Sequence, residues 1–386
     1  MKTILILVAM LTSATIACGQ KQKFEPIENS ATKIIYGKCT IGDEKMRGTY
    51  EGEIFKRKPW GMGTVVYDNG DKYHGEFYKG KRQGNGVYLY KDGEKYDGEW
   101  LNNMQHGYGK FTYTNGNVYA GLWYKNIQQG HGVMEYHNGD VYNGDWANNE
   151  REGQGTYKYM VGAYYKGSWR NDMKHGSGVF DWGDGSRYEG MWQFNVRTGK
   201  GVFTYSSGDQ YRGDWRDDKQ HGKGIYKFVN GDVYEGDYVG GERTGVGIFS
   251  FANGDKYTGQ FVKGEKSGRG MLRLKNGDVY DGYWKDDKLS GHCKFTAHNG
   301  DVLDGDFKNG KLDGLCVVYY QNGNKFRGNF KAGKKNGPAI EEDKDGKRFE
   351  GNYKDDVRDG EFIEKDRNGA VTAKGRYENG RRIQQK

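Results

Sequence analysis

From Tyr50 onward the chain places aromatic residues and glycines at alternate positions with mostly polar residues between them, and the pattern restarts every 23 residues. In Tyr96-Asp97-Gly98-Glu99-Trp100 the two rings and the glycine fall on one side of an extended segment and the two acids on the other, the period-2 signature of a strand. Farther on, Gly107, Gly109, Phe111 and Tyr113 alternate with Tyr108, Lys110 and Thr112 in the same sense. Each period therefore predicts a two-stranded hairpin, and no helical period competes with it. The connection to the next period is Asn-Gly or Asp-Gly in most cases, as at Asn115-Gly116 and Asn138-Gly139, the strongest short-range hairpin signal. The turn inside the period reads as a longer one, spanning residues 101–107.

The frame is regular. The segment at Tyr96 recurs at Tyr119, Tyr142, Tyr165 and Tyr188, and it extends without insertion from Tyr50 to Phe349. Fourteen units of 23 residues cover residues 50–371, and a partial unit shifted by one residue starts at Lys374. With the tyrosine counted as position 0, positions 2, 11 and 20 are glycine in all fourteen units and position 13 in ten. Position 4 is aromatic in thirteen and holds seven of the nine tryptophans. The expected fold is all-β: an elongated, twisted, single-layer antiparallel meander of stacked hairpins. About 28 strands at roughly 4.8 Å each would extend on the order of 130 Å before twist is counted.

Composition narrows the classes. Glycine is about 17% of the chain, but 52 of the 65 glycines occupy the four periodic positions, so the excess marks regular structure. With 3 prolines and no Gly-X-Y period, collagen is excluded. Fifty-seven aromatic residues argue against disorder. The net charge of +8 is spread over both signs without a long basic run, so nucleic acid is not expected as a partner. Only 34% of residues are hydrophobic, too few for a core several layers deep.

A 23-residue unit of the form Tyr-x-Gly-x-Trp, then a variable turn, then Gly-x-Gly and a later Asn-Gly resembles the MORN (membrane occupation and recognition nexus) repeat. The resemblance covers about five-sixths of the chain. It implies a hairpin array acting as a scaffold or as a protein- or lipid-binding surface. Some relatives join such an array to a lipid kinase or methyltransferase domain; the 49 residues before the array and 15 after it have no room for either. The ending NGAVTAKGRYENGRR resembles the looser repeats of bacterial exported proteins.

Four segments are expected: a leader over 1–18, a linker or degenerate cap repeat over 19–49, the array over 50–371, and a partial repeat with a basic tail over 372–386. Lys2 followed by the apolar run Thr3 to Ala17 reads as a secretory signal peptide, too short to span a bilayer comfortably. Thr15-Ile16-Ala17-Cys18 resembles a bacterial lipoprotein box, with Cys18 as the acylated residue; simple cleavage near Ala17 or Gly19 is the alternative. Either route exports the protein, to the envelope or beyond. Glu341, Asp343, Glu364 and Asp366 replace rings in the last two units, which together with Pro338 suggests a polar cap protecting a sheet edge.

No catalytic, cofactor or metal constellation is expected. Cys293 and Cys316 replace the position-13 glycine in consecutive units, two strands or about 9.6 Å apart, beyond disulfide reach. His106, His175 and His221, each before the position-11 glycine, read as turn residues tolerant of left-handed backbone, and Asp217-Asp218, Asp286-Asp287 and Asp355-Asp356 as solvated turn charges. The aromatic face carries two readings. Tyr119, Trp123, Tyr142, Trp146, Tyr165, Trp169, Tyr188, Trp192, Tyr211 and Trp215 pack on one another to hold the sheet, and they leave a half-exposed groove along which a peptide, protein or glycan partner lies. Direct phospholipid binding is the competing function, and the oligomeric state is open.

Overall fold

The structure, a computed structural model, describes residues 35–41 and 47–383. Every regular element among them is a strand, thirty-one in all. The described residues fall into two compact units, one running to Asp184 with Trp192–Asn195 and the other of Gly185–Met191 and Val196 onward. Within each, strands pair antiparallel with their sequence neighbours. In the first unit Ile35–Ile41 pairs with Gly48–Phe55, and the pairing proceeds strand by strand to Met173–Asp181. In the second it proceeds from Val196–Thr204 to Arg381–Ile383.

One repeat shows why the sequence folds this way. Residues Lys95–Leu101 and Met104–Thr112 form the hairpin, with Tyr96 opposite Phe111 and Gly98 opposite Gly109. The turn inside it is a two-residue one, because Leu101 pairs with Met104 and both Asn102 and Asn103 are left-handed, at φ 52° and 72°. That type I′ geometry matches strand twist, and Asn and Asp enter left-handed backbone at low cost. The link to the next repeat is the longer one: Tyr113 N–H bonds to Asn117 O at 2.9 Å, Gly116 N–H to Tyr113 O at 3.0 Å, and only Gly116 is left-handed. The expected turn lengths are thus exchanged. Asn-Gly serves here as the end of a three-residue loop, where only its glycine needs positive φ.

The stretch read as loop at 101–107 is mostly strand containing a bulge. Between the pairs Gly98–Gly109 and Trp100–Gln105, the single residue Glu99 faces His106, Gly107 and Tyr108. Gly107 absorbs the irregularity at φ 56°, whereas His106, His175 and His221 keep ordinary backbone, contrary to expectation. The bulge turns the position-12 amide away from the ladder, and the position-3 side chain receives it: Tyr108 N–H donates to Glu99 at 2.9 Å and Gln154 N–H to Asp145 at 3.0 Å. Pro338 stands at this very position inside a strand paired on both sides, so it marks a place that needs no ladder donor and not a sheet edge.

Candidate binding face

Each repeat buries one face with its own rings. Tyr142 lies across the backbone of Gly144 and Gly155, where an added Cβ would fall 2.5 and 2.3 Å from its hydroxyl oxygen. The hydroxyl donates to Asp145 O at 3.0 Å. Trp146 and Trp169, from the same repeat and the next, stand edge-on to the Tyr142 ring, each with centroids 5.3 Å away. Trp169 donates its indole N–H to Gly155 O at 3.2 Å. The glycines at positions 2 and 13 are therefore the floor beneath the tyrosine, and the tryptophan stitches one repeat to the one before it.

This arrangement corrects half of the reading of the aromatic face. Tyr119, Trp123, Tyr142, Trp146, Tyr165, Trp169, Tyr188, Trp192, Tyr211 and Trp215 are 0–6% exposed, so they line no open groove. They are the core of a fold only one sheet thick. Burial raises the pKa of every one of these tyrosines, which keeps the phenols neutral.

Two other rows cover them, the first buried to half-buried and the second half-buried. The first is position 9, read from sequence as loop and so missed. Its side chain lies across the rings: the Arg151 guanidinium sits 5.6 Å from Tyr142, 5.4 Å from Tyr157 and 4.4 Å from Trp169, and Arg197 repeats the contact over Tyr188, Phe203 and Trp215. Where position 9 is glutamine it bonds a ring hydroxyl instead, as Gln128 does to Tyr113 at 2.9 Å. The second row is position 17, half-buried rings at Tyr90, Tyr113, Tyr136, Tyr159, Trp182, Tyr205, Phe228 and Phe251. These are the aromatic surfaces that remain available on this face.

Turn side chains clamp adjacent repeats. The second acid of each expected solvated pair is a clamp: Asp218 Oδ1 accepts the Arg197 backbone N–H at 3.0 Å and its Nε at 2.8 Å, and Asp287 and Asp356 accept the amides of Lys266 and Lys335. On the other edge Asp140 accepts the Met160 N–H at 2.9 Å and the Tyr157 hydroxyl at 2.8 Å. Burial works against the Asp140 carboxylate, but these bonds and one from Asn138 together hold its pKa below the usual range. In the last repeats the acids at ring positions are likewise bonded. Glu341 accepts from Tyr353 and Arg358, beside a cluster of Phe326, Ala339, Phe349, Tyr353 and Phe362.

The inner-turn edge changes character along the chain. In the first unit it carries rings, with Trp60 4.6 Å from Tyr78 and His106 5.4 Å from Tyr124. In the second unit positions 5 and 8 present exposed lysines at 285, 288, 308, 311, 331, 334 and 354. None of them has an acidic partner among the described residues. Their 23-residue spacing hides them in the sequence, where acids intervene.

Cys293 and Cys316 are buried free thiols, as expected. Burial pushes them up to about 12 and about 11, which leaves them as inert thiols. No group of three His, Cys, Asp or Glu side chains among the described residues could hold a metal ion. Cys18 lies outside the described residues; Cys39 is described only by its backbone, opposite Tyr50.

The profile of the MORN repeat matches residues 50–348 in thirteen consecutive segments, from 50–72 through 280–302, then 304–325 and 326–348. No curated protein matches the chain. Among solved structures, similar ones include the TCP domain of SAS-4 from Drosophila melanogaster, solved in complex with a proline-rich motif of Ana2. It shows 16% identity over 46% of this chain and 90% of that one, with a TM-score of 0.27. The wild-type TCP10 domain of Danio rerio CPAP shows 13% identity over 52% and 99%, with a TM-score of 0.29. At such scores neither likeness bears on function.

Proposed function

Because the chain belongs to the MORN-repeat family, a family of protein- or membrane-binding repeat modules, we propose that it is a non-catalytic scaffold that holds a protein partner along its aromatic face at the cell envelope. The supporting observation is the half-buried row at position 17 lying beside the arginines, lysines and glutamines of position 9. A strip of rings edged by guanidinium and ammonium groups suits an extended polypeptide, whose apolar side chains rest on the rings and whose carbonyl and carboxylate groups meet the cations. The site thus moves from the ten buried Tyr and Trp residues to the row above them. Export rests on Lys2 and the apolar run to Ala17, and attachment on acylation of Cys18.

Crosslinking capture from the native cell tests this reading. The double variant Tyr136→Ser, Tyr159→Ser is expected to fold with an unchanged circular dichroism spectrum and to lose the partner retained by the parent chain; full retention would overturn it. Globomycin-sensitive processing lost in Cys18→Ala would establish the anchor.

A second reading, phospholipid binding, has its own support in the exposed lysine edge from 285 to 354. Co-sedimentation with vesicles containing anionic lipid, abolished in Lys308→Glu, Lys331→Glu and absent with neutral vesicles, is the outcome it requires.

A further inference from the structure

The clamp described above lacks its carboxylate at the half-buried Arg243. At Arg151 and Arg197, an aspartate at position 7 of the following repeat places one carboxylate oxygen 2.8 Å from Nε and 2.9 or 3.0 Å from the backbone N–H. The corresponding cation Arg243 packs on rings in the same way, 5.4 Å from Tyr234, 5.4 Å from Phe249 and 6.0 Å from Phe261. Its position-7 neighbour, however, is Gly264. A Cβ built there would lie 3.4 Å from Arg243 Nη2 and 3.7 Å from Nε, so the place a carboxylate fills elsewhere is open. Among the described residues the Arg243 side chain has neither a hydrogen bond nor an ion pair.

The preceding repeat widens the opening. Its position 7 is also glycine, Gly241, and the two bare turns leave a depression of about 300 Å³. Tyr226, Phe228 and Tyr238 form its apolar floor, Arg243 and Lys263 supply positive charge, and Glu242 is the one acid on its rim.

We propose that this depression is a subsite for a carboxylate borne by a bound peptide. The anion takes the place that Asp172 and Asp218 fill by covalent attachment, and an adjoining apolar side chain rests on the aromatic floor. One oxygen of that carboxylate would accept from Arg243 Nε and from its backbone N–H, as the Asp172 and Asp218 oxygens do at Arg151 and Arg197. The inference rests on the protein-binding reading and specifies one feature of the partner.

The test uses the full chain labelled with 15N-arginine and follows the Arg243 Nε–H resonance, assigned by its loss in Arg243→Gln. Two probes distinguish the carboxylate's source: acetyl-Leu-Glu-amide carries it on a side chain, and acetyl-Leu-Gln with a free C-terminus carries it on the backbone. A saturable shift with either supports the proposal, with acetyl-Leu-Gln-amide binding about tenfold more weakly or not at all. Gly264→Asp supplies the missing carboxylate within the chain. It is expected to move the resonance toward those of Arg151 and Arg197 without any probe, to abolish the response to the peptides and to raise the unfolding temperature. Equal shifts by the neutral amide, tighter binding of inorganic phosphate, or an unchanged response in Gly264→Asp would each overturn it. Such a failure leaves the protein-binding reading standing, since the Tyr136 and Tyr159 variants test that separately.

Discussion

Tyr280 lies outside the seat its counterparts occupy because Cys293 stands beneath it. Where the position-13 residue is glycine, the tyrosine hydroxyl reaches the carbonyl three residues on, as Tyr257 reaches Gln260 O at 3.1 Å. Cys293 projects a Cβ into that floor, 2.5 Å from where a side chain on Gly282 would begin. Tyr280 is only half-buried, makes no such bond, and leans on Phe295 with centroids 4.5 Å apart.

Gly155→Cys should therefore expel Tyr142. Its Cβ would enter 2.3 Å from the Tyr142 hydroxyl oxygen and 2.6 Å from the ring, so the ring must leave. The expected cost is about 2–4 kcal/mol, combining a lost hydrogen bond with the loss of ring packing against Trp146 and Trp169. Chemical denaturation measures it. Cys293→Gly makes the converse change and should gain up to about 1 kcal/mol after the added chain entropy of glycine is subtracted.

Trp169→Phe keeps an aromatic ring against Tyr142 and Tyr165 but removes the bond to Gly155 O. A loss of about 1–2 kcal/mol is expected, against roughly 3–5 kcal/mol for Trp169→Ala. Equilibrium unfolding followed by tryptophan fluorescence distinguishes them; equal losses would mean that the indole N–H contributes nothing.

Acid and base should each destabilise the fold. Asp140, Asp209, Asp237 and Glu342 have folded pKa values below the ordinary carboxylate range. A depressed folded pKa means that the stabilisation is present above the unfolded value near 4 and disappears as pH falls below it. At the other end, burial pushes Tyr234 and Tyr257 up to about 12. That stabilisation is complete below the unfolded phenol value of about 10 and is lost as pH rises from there toward 12. Melting temperature against pH should be flat near neutrality and fall at both ends, and absorbance at 295 nm should show the phenolate appearing together with unfolding.

The thiols of Cys293 and Cys316 should resist a disulfide reagent at pH 8 in the native chain and react fully in denaturant. Fast native labelling of either would contradict their burial.

Much of this was legible in the sequence. The period, the hairpins and the all-β class follow from alternation and spacing. Two features escaped because they depend on where a single turn sits. Asn115-Gly116 carries the stronger dipeptide signal, yet the two-residue turn is Asn102-Asn103; both pairs suit left-handed backbone, and only the register across the hairpin decides between them. Reading residues 101–107 as loop then hid Gln105, and with it the whole position-9 row that covers the rings. The exposure of the Tyr and Trp rings was overestimated for a related reason. A sheet with one bare face leaves its rings half-open only if nothing long enough lies across them, and arginine, lysine and glutamine do.

The clamps connect each repeat to its immediate neighbours: Asp172 reaches back 21 residues, Met160 donates 20 residues back, and Trp169 donates 14 residues back. Removing residues 142–164 would join Val141 directly to Tyr165 and present each partner with a chemically similar replacement. Length is consequently a free parameter of this architecture. A gene of this kind can gain or shed 69 base pairs at a time by unequal recombination, and the product remains foldable at every step.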